Sequence, residues 1–151
     1  NKDIKEPEGV WDTEILQALH INVEKNPFTG RPFFNEVIFY HVPTKTLLTT
    51  DLFWNYPKNG VPNSEFGKDD SWQLAPVVDE VPLGSRLWKL GMDKVYRQFY
   101  NNFMVTDEAE YKAIANHILN VWDVETVIPA HGDILRGKDF IRDVLTKFFR
   151  L

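Results

Sequence analysis

The chain of 151 residues has no cysteine, which removes disulfides, thiolate zinc sites and cysteine nucleophiles together and leaves the redox compartment open. It has no run of Lys or Arg longer than two, and 17 basic residues stand against 22 acidic ones for a net charge of -5. A polyanion-binding surface is therefore not expected, and nucleic acid is not an expected partner. No stretch approaches the roughly 20 apolar residues that span a bilayer. No secretory leader is visible either, so the chain is expected to be soluble and not membrane-spanning. The opening residues NKDIKEPEG carry no initiator Met, which predicts a start set by processing or a position inside a longer protein. What is present points to an ordered fold: 43% of residues are hydrophobic and 14% aromatic, enough apolar mass for one domain with a real core.

Residues 1–9 are charged and carry Pro7 and Gly9, which predicts a flexible lead-in to a single domain over 10–151. Residues 15–23 suit a strand or a helix; the alternation of Leu19, Ile21 and Val23 favours a strand. KNPFTGRP at 25–32 is a loop. EVIFYH at 36–41 and TLLTTD at 46–51, separated by a Pro-containing turn, read as a hairpin. Residues 52–82 are rich in Pro, Gly, Asn and Asp and predict a long irregular connection. From Leu83 to Phe103 apolar residues recur at helical intervals, with Gly91 as a possible break. A further helix starts at Thr106 or Asp107, where Asp107 and Glu110 have the spacing of a capping pair, and Tyr111, Ile114, Ala115, Ile118, Leu119 and Trp122 form one stripe. VETVIP at 124–129 is a short buried strand, VIPAHGDIL leads out of it, and Asp139 to Arg150 is an amphipathic helix. Strands followed by helices that cover a sheet define a mixed α/β (α+β) class. In such a layout the loop at the C-terminal end of a buried strand gathers ligand groups, which draws attention to His131.

EVIFYHVPTKTLLTTDLFWN resembles the paired strands of the metallo-β-lactamase superfamily that end in an aspartate. WDVETVIPAHGDIL resembles the strand and loop that carry that superfamily's last histidine. The run from about Glu36 to Phe148, including LGSRLWKLGMDK, is similar to a domain-of-unknown-function branch of the superfamily found in plants, algae and cyanobacteria. The resemblance implies a metallo-β-lactamase-like αββα sandwich, of which this chain would be the C-terminal half, with the metal site at one edge of two packed sheets. The superfamily's bridging aspartate and final histidine map onto Asp51 and His131. A divalent ion such as zinc binds imidazole and carboxylate, and it lowers the pKa of a bound water to produce hydroxide for hydrolysis.

The remaining ligands are missing. Superfamily enzymes draw them from an H-x-H-x-D-H cluster and a further histidine N-terminal to the bridging aspartate. This chain has only His20, His41, His117 and His131. Asp51 and His131 together fall short of the three protein ligands of a catalytic zinc, so the chain as given is expected to hold no binuclear site, with zinc or another divalent metal belonging to a more complete protein. Each residue also has a structural role open to it. His117 reads as a solvated helix residue, His41 as a turn partner, and His20 as a packing or surface residue. Asp51 suits a cap or turn, and Asp133 suits a loop hydrogen bond or support for a ligand. Phe53, Trp54, Tyr56 and Trp72 are core aromatics by default, with an exposed contact surface as the alternative.

Two functions follow. One is a fold-retaining protein with an incomplete metal site that acts as a binding or structural subunit, needing a protein partner or the missing N-terminal portion. The other is the C-terminal half of a metal-dependent hydrolase whose remaining ligands lie upstream of residue 1. The resemblance to a branch from photosynthetic organisms makes a plastid the expected location.

Overall fold

The computed structural model describes residues 12–34, 36–56 and 82–150. The lead-in at 1–9, and the stretch of the long connection that contains Trp72, lie outside the described residues. Among the described residues five strands form one sheet in the order β1-β2-β3-β4-β5. They are β1 (Leu16–Ile21), β2 (Glu36–His41), β3 (Thr46–Asn55), β4 (Thr126–Gly132) and β5 (Leu135–Arg136). Neighbours pair antiparallel except β3 and β4, which run parallel. The class is mixed α/β, as its strand-then-helix order implies.

The hairpin forms as expected, with Phe39 opposite Leu48 and His41 opposite Thr46. His41 closes its turn, its Nδ1 lying 2.7 Å from Thr44 Oγ1. The 25–32 loop is organised by Asn26, whose Oδ1 accepts the amides of Phe28 at 2.9 Å and Thr29 at 3.0 Å, an Asn side chain imitating a backbone turn. β3 is longer than TLLTTD: it runs on through LFWN to Asn55. Phe53 and Trp54 are buried in the core, and burial of two aromatic rings outweighs the turn-forming residues that follow. β4 likewise continues past Pro129 through His131, because its parallel partner β3 is there to receive it. The two-residue β5 was not foreseen; at that length it has no periodicity to read.

The helical region begins with α1 (Leu83–Gly91), passes through a π-helical turn at Met92–Tyr96, α2 (Arg97–Phe99) and a second π-helical turn at Tyr100–Met104. Gly91 marks the change from α to π geometry, and the chain does not break there. α3 (Glu108–Asn120) starts at Asp107, whose Oδ1 accepts the Glu110 amide at 2.9 Å, the cap expected from the sequence. α4 (Lys138–Phe149) is the last helix among the described residues.

Alternation assigns the two sheet faces. Leu19, Ile21, Ile38, Tyr40, Leu47 and Val127 form one buried core with Ile114 and Ile118 of α3 and Ile141, Leu145, Phe148 and Phe149 of α4. Tyr40 stacks on Trp122 at 5.1 Å and donates to the Asp123 carbonyl at 3.1 Å. The opposite face carries Val37, Phe39, Leu48 and Ile128. None of these belongs to the core cluster, and Val37 and Ile128 are each 37% exposed. Among the described residues one helical layer and one sheet are thus in place, and the second sheet face mixes buried Ala18, the partly exposed Val37 and Ile128, and the polar His20 and Thr50. His117 departs from expectation: it is half-buried, with its ring edge-on to Trp122 at 5.1 Å, because the chain after α3 folds Trp122 back over it.

Candidate functional site

β3 and β4 are parallel and adjacent, so their C-terminal ends emerge on one rim of the sheet. Asp51 on β3 and His131 on β4 meet there: His131 Nε2 lies 3.4 Å from Asp51 Oδ1, with the side chains 47% and 42% exposed. The structure therefore brings together the two residues singled out in the sequence. It keeps the other histidines away from them, His41 in the hairpin turn, His117 against Trp122, and His20 on the exposed side of β1.

Gly132 makes the juxtaposition possible. Its φ is +102°, and a Cβ there would lie 2.2 Å from the Asn55 carbonyl oxygen and 2.3 Å from its carbon. Only the absence of a side chain lets β4 approach β3 so closely beside His131. The contact is fastened on both sides. The Asp133 amide donates to the Asn55 carbonyl at 2.8 Å, and Asn55 Nδ2 donates to the Asp133 carbonyl at 2.9 Å. Asp133 thus contributes its backbone to the rim, and the Tyr56 ring sits 6.4 Å from the His131 ring. Beneath them Trp54, paired with His131, donates its Nε1 to Asp93 Oδ1 at 3.2 Å, and Lys89 Nζ meets Asp93 Oδ2 at 2.9 Å.

Two further carboxylates were not anticipated. Glu36 is buried at the start of β2; its Oε1 accepts the Thr50 amide at 2.5 Å and its Oε2 the Leu52 amide at 2.5 Å. These are the amides on either side of Asp51, in a stretch where the β3–β4 register shifts between Thr49 and Trp54. The signal was present in EVIFYH: alternation puts Glu36 on the same face as Ile38 and Tyr40, an inward charge that needs partners. Glu24 is also buried, receives a hydrogen bond from the Tyr100 hydroxyl on Oε1, and has no hydrogen-bond partner for Oε2 among the described residues. Burial pushes the Glu24 carboxyl up to about 7; hydrogen bonds from Tyr100 and the Phe34 backbone oppose this, and the charges of Glu36 and Asp51 add to it. Burial and the Glu24 charge push the Tyr100 phenol far above its usual range.

The rim offers one imidazole and one carboxylate. Two donors at roughly 2.0–2.1 Å from a tetrahedral ion stand about 3.3 Å apart, close to the 3.4 Å between Asp51 and His131. Yet among the described residues no group of three His, Cys, Asp or Glu side chains is placed to hold an ion. Asp51 and His131 alone fall short of the three protein ligands that a catalytic site needs.

No family model matches the chain. No curated protein matches it. A solved structure similar to it is the rubredoxin oxygen:oxidoreductase from the anaerobe Desulfovibrio gigas, at 18% identity and a TM-score of 0.45, covering 89% of this chain and 27% of that one. The chain thus spans about a quarter of the length of that protein, and no residue role transfers from it. Among the described residues no helix is long and apolar enough to cross a membrane.

Proposed function

We propose that this chain is the C-terminal half of a metallo-β-lactamase-like αββα sandwich and acts as a binding or structural component of a larger assembly. In this reading Asp51 and His131 form an incomplete metal site. The observation that carries it is the second face of the sheet. Val37 and Ile128, each 37% exposed, present apolar side chains of the kind a covering layer buries, while α3 and α4 pack on the first face. Partly exposed β-branched side chains on a sheet are better placed against another layer than against water. α1 adds to this: none of its residues is buried, and Leu83, Leu87, Trp88 and Leu90 are more than half exposed. The covering layer would come from the N-terminal portion of the same protein or from a partner chain. Zinc or another divalent ion, if that layer supplied further ligands, would provide Lewis-acid chemistry at the rim. The Asp51–His131 spacing favours that second reading, the C-terminal half of a metal-dependent hydrolase. A plastid location is part of the proposal, resting on the sequence resemblance alone.

The test uses the 151-residue chain alone. It should associate in a concentration-dependent way, bind a hydrophobic dye, and lose both properties on Val37→Lys with Ile128→Lys. Metal analysis after dialysis against zinc should find well under one ion per chain. A cooperatively folding monomer retaining one or two ions would overturn the reading.

A further inference from the structure

We infer that Glu36 is the positioning residue of the Asp51–His131 pair, holding the stretch of β3 that presents Asp51 to the rim. The inference rests on that pair as the centre of the proposed site.

Regular β2–β3 pairing is confined to Phe39–Leu48, Tyr40–Leu47 and His41–Thr46. Beyond it β3 loses the β2 carbonyls that would have received its amides, while the β3–β4 register slips between Thr49 and Trp54. Thr50 and Leu52 are two apart, so in extended chain their N–H groups point to the same side, toward β2. The Leu52 amide is buried and the Thr50 amide partly so, and an amide left without an acceptor out of reach of water is costly. The Glu36 carboxylate replaces the missing strand with one oxygen for each amide, both at 2.5 Å. Asp51 sits between the two held amides and reaches His131 across the parallel seam. A carboxylate does this where an amide side chain does not. Ionised, it is an acceptor at both oxygens, whereas Gln has one acceptor and would turn an NH2 toward a backbone N–H. Asp is one methylene too short to reach both.

The experiment is a spectroscopic cycle on the full chain at one fixed pH. The His131 ring carbon and nitrogen resonances are recorded for the wild type, Asp51→Asn, Glu36→Gln and the double variant, with amide exchange followed at Thr50 and Leu52. Ile38→Val serves as the control: it thins the core beside Glu36 and touches neither amide. Glu36→Gln should speed exchange at Thr50 and Leu52 by tenfold or more and reproduce at least half of the His131 displacement caused by Asp51→Asn. Adding Asp51→Asn to it should move His131 little further. In the Ile38→Val background, Asp51→Asn should move His131 as in the wild type. If Glu36→Gln does not fold, Glu36→Asp takes its place and should free one of the two amides with an intermediate His131 displacement. Faster exchange at both amides with an unmoved His131 ring would reduce Glu36 to a structural residue and overturn the inference. A wild-type His131 indifferent to Asp51→Asn would show that the pair itself is absent, a separate failure.

Discussion

Replacing Gly132 by Ala should open the seam between β3 and β4, and the cost can be worked from its surroundings. At a φ of +102° an L-residue is strained by roughly 1–3 kcal/mol. The added Cβ would then stand 2.2 Å from the Asn55 carbonyl oxygen and 2.7 Å from the Tyr56 nitrogen, both backbone atoms. No rotamer change relieves that, so one strand must move by about 1 Å to restore ordinary contact. Such a move weakens the two hydrogen bonds that join Asn55 and Asp133, each worth about 1 kcal/mol. The total is about 3–5 kcal/mol of local stability. Amide hydrogen exchange is the suitable assay, because it reads the opening of this seam whatever the association state of the chain. The Asp133 amide should exchange at least a hundredfold faster in Gly132→Ala, since about 1.4 kcal/mol is a factor of ten. Gly30→Ala is the control: its φ is +67° and a Cβ would meet nothing within 4 Å, so only the conformational term of about 1 kcal/mol applies. Equal effects from the two substitutions, or an Asp133 amide protected as in the wild type, would refute the account of how His131 reaches Asp51.

Three other perturbations test separate parts of the molecule. Glu24 binds its proton more tightly folded than unfolded, its carboxyl being pushed up to about 7. Its contribution is therefore complete below about pH 4.5 and is lost as pH rises through 7, on the order of 3 kcal/mol in all. Urea unfolding across that range should show the slope in the wild type and a much flatter profile in Glu24→Gln. Asp107→Ala removes the acceptor for the Glu110 amide and should cost about 1 kcal/mol, read as faster exchange in the first turn of α3 with α4 unchanged. Leu145→Ala, at a position only 1% exposed between α4 and the sheet, should cost about 2–5 kcal/mol by urea unfolding. A loss under 1 kcal/mol would mean that α4 is not packed on the sheet as described.

The sequence by itself determined the local elements. The β2–β3 hairpin, the Asp107 cap, the apolar stripes of α3 and α4 and the strand into Pro129 all follow from periodicity and end signals, which depend on neighbours a few positions apart. It also singled out Asp51 and His131, through resemblance and because a histidine beyond a buried strand is a conspicuous placement. Tertiary structure decided what depends on residues far apart in the chain. β3 and β4 outrun their expected ends because each supplies the other's hydrogen-bond partners. His117 is drawn under Trp122 by the turn after α3. Glu36 becomes a substitute strand only because regular β2–β3 pairing stops at Leu48, before Thr50, fourteen residues along the chain. Gly132 matters because Asn55 passes within van der Waals distance of it. Propensity acts through the nearest few residues, whereas two side chains eighty positions apart meet only when a sheet's pairing and register bring their backbones side by side.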